Sequence, residues 1–198
     1  MDWHALDAAS MDATDRYFLL TGTVLPRPVA WVTTLFADGQ VNVAPYSQFM
    51  ILASDPGILG IAIAPGPQGR IKDTLLNVQR QGEFVINIAS SQMAQEVQDS
   101  SDDPGLGVSE AKLLGLETLA STHVAPPRLV KTAVQFECTL ESITAFGDGP
   151  TNLVAGRIRQ VHLRERLLKD GRIDLEELDP LGRLQGRKFA RLGSILEC

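Results

Sequence analysis

Cysteine and histidine are scarce in this 198-residue chain and long apolar runs are missing; each shortage removes a class of function. Two cysteines, Cys138 and Cys198, cannot make a disulfide framework or, unaided, a structural metal site. The three histidines, His4, His123 and His162, are scattered and give no ligand spacing for a metal. The longest apolar run, Ile58–Ala64, is far short of the ~20 residues a spanning helix needs, so no membrane partner is expected. No basic stretch leads into an apolar one at the start, where Asp2, Asp7, Asp12 and Asp15 stand instead. The expectation is a cytoplasmic protein rather than an exported one. Also missing are the phosphate loop G-x-x-x-x-G-K-[ST], the H-E-x-x-H pair, C-x-x-C and the G-x-S-x-G elbow of hydrolases. Gly105 and Gly107 begin a G-x-G that no third glycine completes, and no internal repeat occurs.

What is present reads as one domain over residues 1–198. Hydrophobic residues make up 44% and charged ones 21%, a balance that excludes collagen, coiled coil and wholesale disorder. A chain of this length buries about 70% of its unfolded surface and needs no staples to fold. Eighteen Lys and Arg against 24 Asp and Glu leave a net charge of −6, without the basic footprint of a nucleic-acid binder. The distribution says more than the sum. Between Gln81 and Ala111 there are six acids and no Lys or Arg, while ten of the eighteen basic residues fall between Arg157 and Arg191. Such stretches are either two solvated surfaces, the commoner outcome, or a charge contact between subunits.

Val29–Leu35 is rich in β-branched and aromatic residues and leads to Asp38-Gly39, a hairpin signal because glycine tolerates positive φ. Val41–Ala44 is the expected return strand, stopped by Pro45. Phe49–Leu52, the Ser54–Gly57 turn and the continuous Ile58–Ala64 run predict two more strands, the second buried on both faces. After the Pro65–Gly69 loop, Leu75, Leu76 and Val78 predict an amphipathic helix over Lys72–Gln81, closed by Gly82. A strand at Phe84–Ala89 follows. From about 90 to 127 the period changes: two short helices, Ser91–Gln98 and Ser109–Leu114, flank the turn-rich Asp99–Gly107, an acidic helical insertion. Beyond it Val134, Phe136, Cys138 and Leu140 alternate with Gln135, Glu137, Thr139 and Glu141, which predicts one buried face and one wet face. Gly147–Pro150 turns the chain back into Leu153–Leu163, whose slip near Gln160 indicates a bulge. Strands in antiparallel succession with few helices predict a mainly β chain, a closed or partly closed antiparallel barrel with peripheral helices.

Candidate chemistry gathers at strand ends. Thr33 and Thr34 end the first strand, Asn42, Ala44, Ser47 and Gln48 follow across the hairpin, and Arg70, Lys72, Asp73 and Thr74 lead into the helix. Hydroxyls, a cation and the N–H groups of a helix start suit an anion such as a phosphate. Lys72 supplies a point charge there, and Asp73 or Thr74 caps the helix. The same residues also read as ordinary strand threonines, a backbone-satisfying asparagine and a solvated lysine. His162 reads as a hydrogen-bonded histidine, Cys138 as a buried inert thiol and Trp31 as core.

Five motifs in order carry a resemblance: R-P-V-A-W-V-T-T (Arg27–Thr34), D-G-x-x-N-x-A-P-x-S-x-F (Asp38–Phe49), S-D-P (Ser54–Pro56), K-D-T (Lys72–Thr74) and E-F-V-I-N (Glu83–Asn87). The set resembles the flavin reductase-like family of FMN-binding split barrels, which includes flavoredoxin and the reductase partners of two-component monooxygenases. The stretch Pro180–Gly193 looks like that family's closing segment. The resemblance implies an antiparallel Greek-key split β-barrel, a homodimer with FMN at or near the subunit interface, and NADH or NADPH as electron donor. A monooxygenase partner is also implied. Carried over position by position, Thr33, Thr34, Ser47, Lys72 and Thr74 would hold the ribityl phosphate, and Asn42, Ala44, Gln48 and Phe49 would line the ring or ribityl chain. Phe189 departs from the family's usual Tyr, so any contact of that hydroxyl is absent. A flavin brings its own redox chemistry, so no dedicated acid or base is required. Two rival readings of the same site are a flavoredoxin-type electron carrier and a non-enzymatic flavin-binding sensor or interaction module.

Overall fold

The computed structural model describes residues 1–149 and 151–197, so Pro150 of the expected turn, and Cys198, lie outside the described residues. Helix α1 (Ala13–Thr23) comes first, then strands β1 (Arg27–Pro28), β2 (Ala30–Leu35), β3 (Val41–Tyr46), β4 (Phe49–Ser54) and β5 (Gly57–Ile63). Helix α2 (Asp73–Gln81) and β6 (Glu83–Ile88) follow. The insertion holds α3 (Ala94–Asp99), α4 (Glu110–Leu113) and a small hairpin of β7 (Thr118–Leu119) and β8 (Arg128–Leu129). Strands β9 (Val134–Phe146) and β10 (Thr151–Leu163) pair over their whole length. The closing part contains β11 (Leu168–Lys169), β12 (Arg172–Ile173), α5 (Leu175–Leu178), β13 (Gly182–Arg183) and β14 (Phe189–Ala190).

Seven strands pair antiparallel in the order β3-β2-β6-β9-β10-β5-β4. The two edge strands, β3 and β4, are consecutive in sequence and joined only by Ser47 and Gln48. A sheet whose edges lie one dipeptide apart has to curl until they nearly meet. The Ala62 N–H of β5 donates to the Gln48 carbonyl at 2.8 Å, so the β4–β5 ladder extends into the dipeptide that joins the two edges. The result is the expected mainly β split barrel, with the seam as its opening.

Strand alternation then builds two cores. Inside the barrel, Ala30 and Val32 meet Ile61, Phe84, Ile86, Cys138 and Val154, with Leu75 and Val78 of α2 closing one end. On the outer face Trp31 and Val43 pack under the insertion against Val97, Ala111 and Leu129. Trp31 is core, as expected, and its indole N–H donates to Ser100 Oγ at 2.9 Å. Gly156 is the close approach that this packing requires. A Cβ there would overlap the Phe84 ring and stand 3.1 Å from Cys138 Cβ. Gly156→Ala should therefore cost about 1–3 kcal/mol by overpacking, read as a lower urea midpoint at unchanged slope. An unmoved midpoint would mean that the Phe84 ring yields freely.

Three expectations need correction, and one helix lies where none was read. Strand β3 runs through Pro45 to Tyr46 rather than stopping, because it is an edge strand and Pro45 has no second neighbour to bond. The second face of β9 is not wet near its start: Gln135 and Glu137 are buried, since the insertion lies over them. Neither Asp73 nor Thr74 caps α2; Lys72 stands at the N-cap and makes no side-chain cap bond. Helix α1 was not expected at all, although its N-cap Asp12 accepts the Asp15 N–H at 2.8 Å. The predicted slip near Gln160 is present as a register shift between Ile158 and Gln160. Burial, with the Glu137 charge adding to it, pushes the Cys138 thiol up to about 12, so that it stays protonated and inert. Among the described residues no helix is long and apolar enough to cross a membrane.

Candidate functional site

Two clefts meet at the barrel seam and share Pro45, Tyr46, Lys72 and Ser101. The larger, of about 430 Å³, is bounded by Ser47 and Gln48 of the seam, by Tyr17 and Phe18 of α1, and by Arg183, Arg187 and Phe189 of the closing segment. The smaller, of about 90 Å³, is lined by Asn42, Ala44, Arg70, Asp73 and Thr74 together with Asp102, Asp103 and Glu110.

Their charges differ in sign. The larger cleft has Arg27, Lys72, Arg183 and Arg187 on its walls and no carboxylate. Arg27 is buried, and its guanidinium donates to the carbonyls of Thr21 at 2.6 Å, Val24 at 3.2 Å and Leu184 at 2.9 Å, and to Ser47 Oγ at 3.2 Å. These acceptors are neutral, and no ion-pair partner for Arg27 occurs among the described residues. The β1–β13 register sets Arg27 directly opposite Arg183. Like charges facing each other across strands repel, and a buried cation without a counter-ion is costly. Burial pulls the Arg183 guanidinium below its ordinary range, and the charges of Arg27 and Arg187 add to that. An anion in this cleft relieves all of these costs.

The smaller cleft is a poorer host for a phosphate. Arg70 is already paired with Asp103, and the Oδ2 atom of Asp73 accepts the Gly107 N–H at 3.2 Å. Glu110 is buried and accepts the Val43 N–H at 3.0 Å, and burial raises its carboxyl. Two features still favour a polar guest there. Arg70 Nε is buried without a partner, and Lys72 at the N-cap leaves the first turn of α2 uncapped.

The structure therefore divides the residues singled out from sequence. Ser47, Gln48 and Lys72 border the larger cleft; Asn42, Ala44, Arg70, Asp73 and Thr74, again with Lys72, border the smaller. The Asn42 amide donates to Thr34 Oγ1 at 3.0 Å and Thr74 Oγ1 at 2.9 Å, and Asn77 donates to Thr34 at 3.0 Å. This buried knot fastens α2 to the first hairpin, and Thr34 borders neither cleft. Thr33 lies under the insertion, where its hydroxyl donates to the Pro127 carbonyl at 2.5 Å. Phe49 faces a separate apolar hollow of about 340 Å³ with Pro28, Ile88 and Leu181. Arg27, Arg183, Arg187, Tyr17 and Phe18 were not singled out. Arg27 opens the first of the five motifs, and Arg183 and Arg187 lie in the closing segment; only their convergence was invisible.

The fold is thus an antiparallel split barrel with a cationic cleft at its seam. The sequence family described as flavin reductase like domain matches residues 21–187, and the chain belongs to that family. The crystal structure of nitrilotriacetate monooxygenase component B from Bacillus cereus is similar over 100% of both chains, at 32% identity and a TM-score of 0.95. The 2-nitrobenzoate 2-nitroreductase NbaA of Pseudomonas fluorescens matches 98% of this chain and 95% of its own, at 30% identity and a TM-score of 0.88. An uncharacterised Bacillus subtilis protein is 35% identical over 196 residues, 96% of this chain and 95% of its own. Flavoredoxin of Desulfovibrio vulgaris, at 21% identity and a TM-score of 0.76, shares the fold over 88% of this chain and 91% of its own.

Proposed function

We propose that this protein is an FMN-binding oxidoreductase that takes hydride from NADH or NADPH and passes the reducing equivalents to an acceptor or a partner monooxygenase. The observation that carries the reading is the buried, unpaired Arg27 bonded to Ser47 Oγ in a cleft whose other charges are all positive. The donor set fits a phosphorylated flavin: cations for the phosphate, with the hydroxyl of Ser47 and the amide of Gln48 for a polyol chain. When bound, FMN supplies two-electron chemistry at its ring, and the protein supplies position, polarity and exclusion of water. Arg27 and Lys72 compensate the phosphate charge, and Ser47 and Gln48 orient the chain between the two sheet edges. The Tyr46 ring stands where the clefts join, its hydroxyl kept protonated by burial, so it is available as a donor and not as a base. A micromolar complex needs only about −8 kcal/mol in all, within reach of two or three charge-assisted bonds and a stacked ring. We also place this chain in a homodimer, in line with the Met50–Leu52 stretch of edge strand β4, whose three apolar side chains are exposed.

The test is an absorption spectrum of purified protein before and after anaerobic NADH, then NADPH. Flavin bands that bleach support the reading, while bands that persist point to an electron carrier or a sensor. A colourless protein that refuses added FMN removes the function. In titrations, Ser47→Ala and Lys72→Ala should each weaken FMN about 10-fold, the loss of one bond to a charged group. Unchanged affinity in both would show that the flavin lies elsewhere.

A further inference from the structure

The mouth of the larger cleft carries more positive charge than one phosphate monoester uses. The Arg183 guanidinium stands 4.5 Å from the centre of the Phe189 ring and donates to Gln98 Oε1 at 3.1 Å and the Gly186 carbonyl at 2.5 Å. No carboxylate pairs with it among the described residues. Arg187 has one ion pair, with Asp102 at 3.2 Å, and both side chains are more than 60% exposed. Such a pair is worth under about 1 kcal/mol and is readily exchanged for another anion. Tyr17 and Phe18 border the same cleft edge to face, ring centres 5.6 Å apart, and both are about half exposed.

Two arginines without firm carboxylate partners, among three aromatic rings, make a slot for a flat ring that bears an anionic group. We infer that the cleft mouth binds a small aromatic carboxylate, its carboxylate on Arg187 and Arg183 and its ring among Tyr17, Phe18 and Phe189. A guanidinium meets a carboxylate through two parallel bonds, and the ring displaces water from exposed apolar surface. The inference deepens the flavin reading by naming the class of the second ligand, and rests on that reading only for what lies beside it.

The experiment is calorimetric titration of the purified chain, with and without FMN, against benzoate, benzamide and inorganic phosphate. Benzoate should bind saturably, and benzamide, the neutral analogue, at least about 10-fold more weakly. Arg187→Gln should weaken benzoate about 10-fold and leave benzamide unchanged. Arg187 is exposed, so that variant should melt like the parent. Arg183→Lys, which keeps the charge and loses the fork, should also weaken benzoate. Equal binding of benzoate and benzamide, phosphate binding as tight as benzoate to the FMN-loaded chain, or an Arg187→Gln protein indistinguishable from the parent overturns the inference. FMN absorbance read in the same samples separates the two readings. FMN bound without benzoate sinks the second ligand alone, whereas benzoate bound without FMN sinks the flavin reading alone.

Discussion

Replacing Arg27 by methionine should lower FMN affinity by about 10- to 100-fold and destabilise the fold, the largest functional effect expected of any single substitution here. The guanidinium touches α1, the closing segment and the seam at once, through Thr21, Val24, Leu184 and Ser47. Methionine fills the volume but leaves three carbonyls without their donor, and the buried one, on Thr21, costs about 1–3 kcal/mol when so abandoned. The positive charge facing the cleft disappears as well. Arg27→Lys separates the two roles: it keeps the charge, cannot span four acceptors, and should recover part of the affinity but little of the stability. FMN titration and thermal melting on the same preparations decide the matter. If Arg27→Met melts early yet binds FMN like the parent, Arg27 is a strut and the cationic reading of the cleft is wrong.

Glu137→Leu should cost about 3–5 kcal/mol and free the 118–129 hairpin from the barrel wall. Glu137 is fully buried, and both of its carboxylate oxygens accept hydrogen bonds. The Thr122 N–H donates to it at 2.8 Å, the His123 N–H at 2.6 Å, and His162 Nε2 lies 2.6 Å from Oε1. Leucine would leave the backbone donors of Thr122 and His123 without their acceptor. Hydrogen exchange at Thr122 and His123 should rise far more than at β6, while uniform exchange across the barrel would mean that the clamp is not local. The acid limb follows from the same contacts. Burial alone would raise this carboxyl, but the two N–H donors and His162 outweigh it and hold it below its ordinary 4.5. A carboxyl depressed in the folded state contributes stability that is whole above its unfolded pKa and is lost as pH falls through the folded one. The parent should therefore lose this increment as pH falls below about 4.5, and Glu137→Leu should show a flatter acid limb.

The acidic and basic stretches that stand out in the sequence partly meet inside one chain. Arg187 pairs with Asp102, and Arg183 reaches Gln98, so part of the contrast is internal and solvent-exposed rather than reserved for a second subunit. Sequence distance concealed this, since each pair is 85 residues apart. The same limit governed Glu137. Its period-two strand correctly placed Cys138 and Phe136 toward the barrel interior, but no local pattern can tell whether an insertion covers the other face.

From the sequence alone came the antiparallel strands, the Asp38–Gly39 hairpin, the Gly82 helix stop, the Gln160 bulge, the inert Cys138 and, through five ordered motifs, the family. All of these rest on periods of two or 3.6, on glycine's access to positive φ, or on residues adjacent in the chain. The tertiary structure alone decided which polar residues share a cavity. It sent Thr33 under the insertion, spent Thr34, Asn42 and Thr74 on a buried knot, and brought Arg27 opposite Arg183 across 156 residues of chain. A hydroxyl or guanidinium has the same composition whether it binds a ligand or a neighbour. Which of the two it does depends on what the closing of the barrel places beside it.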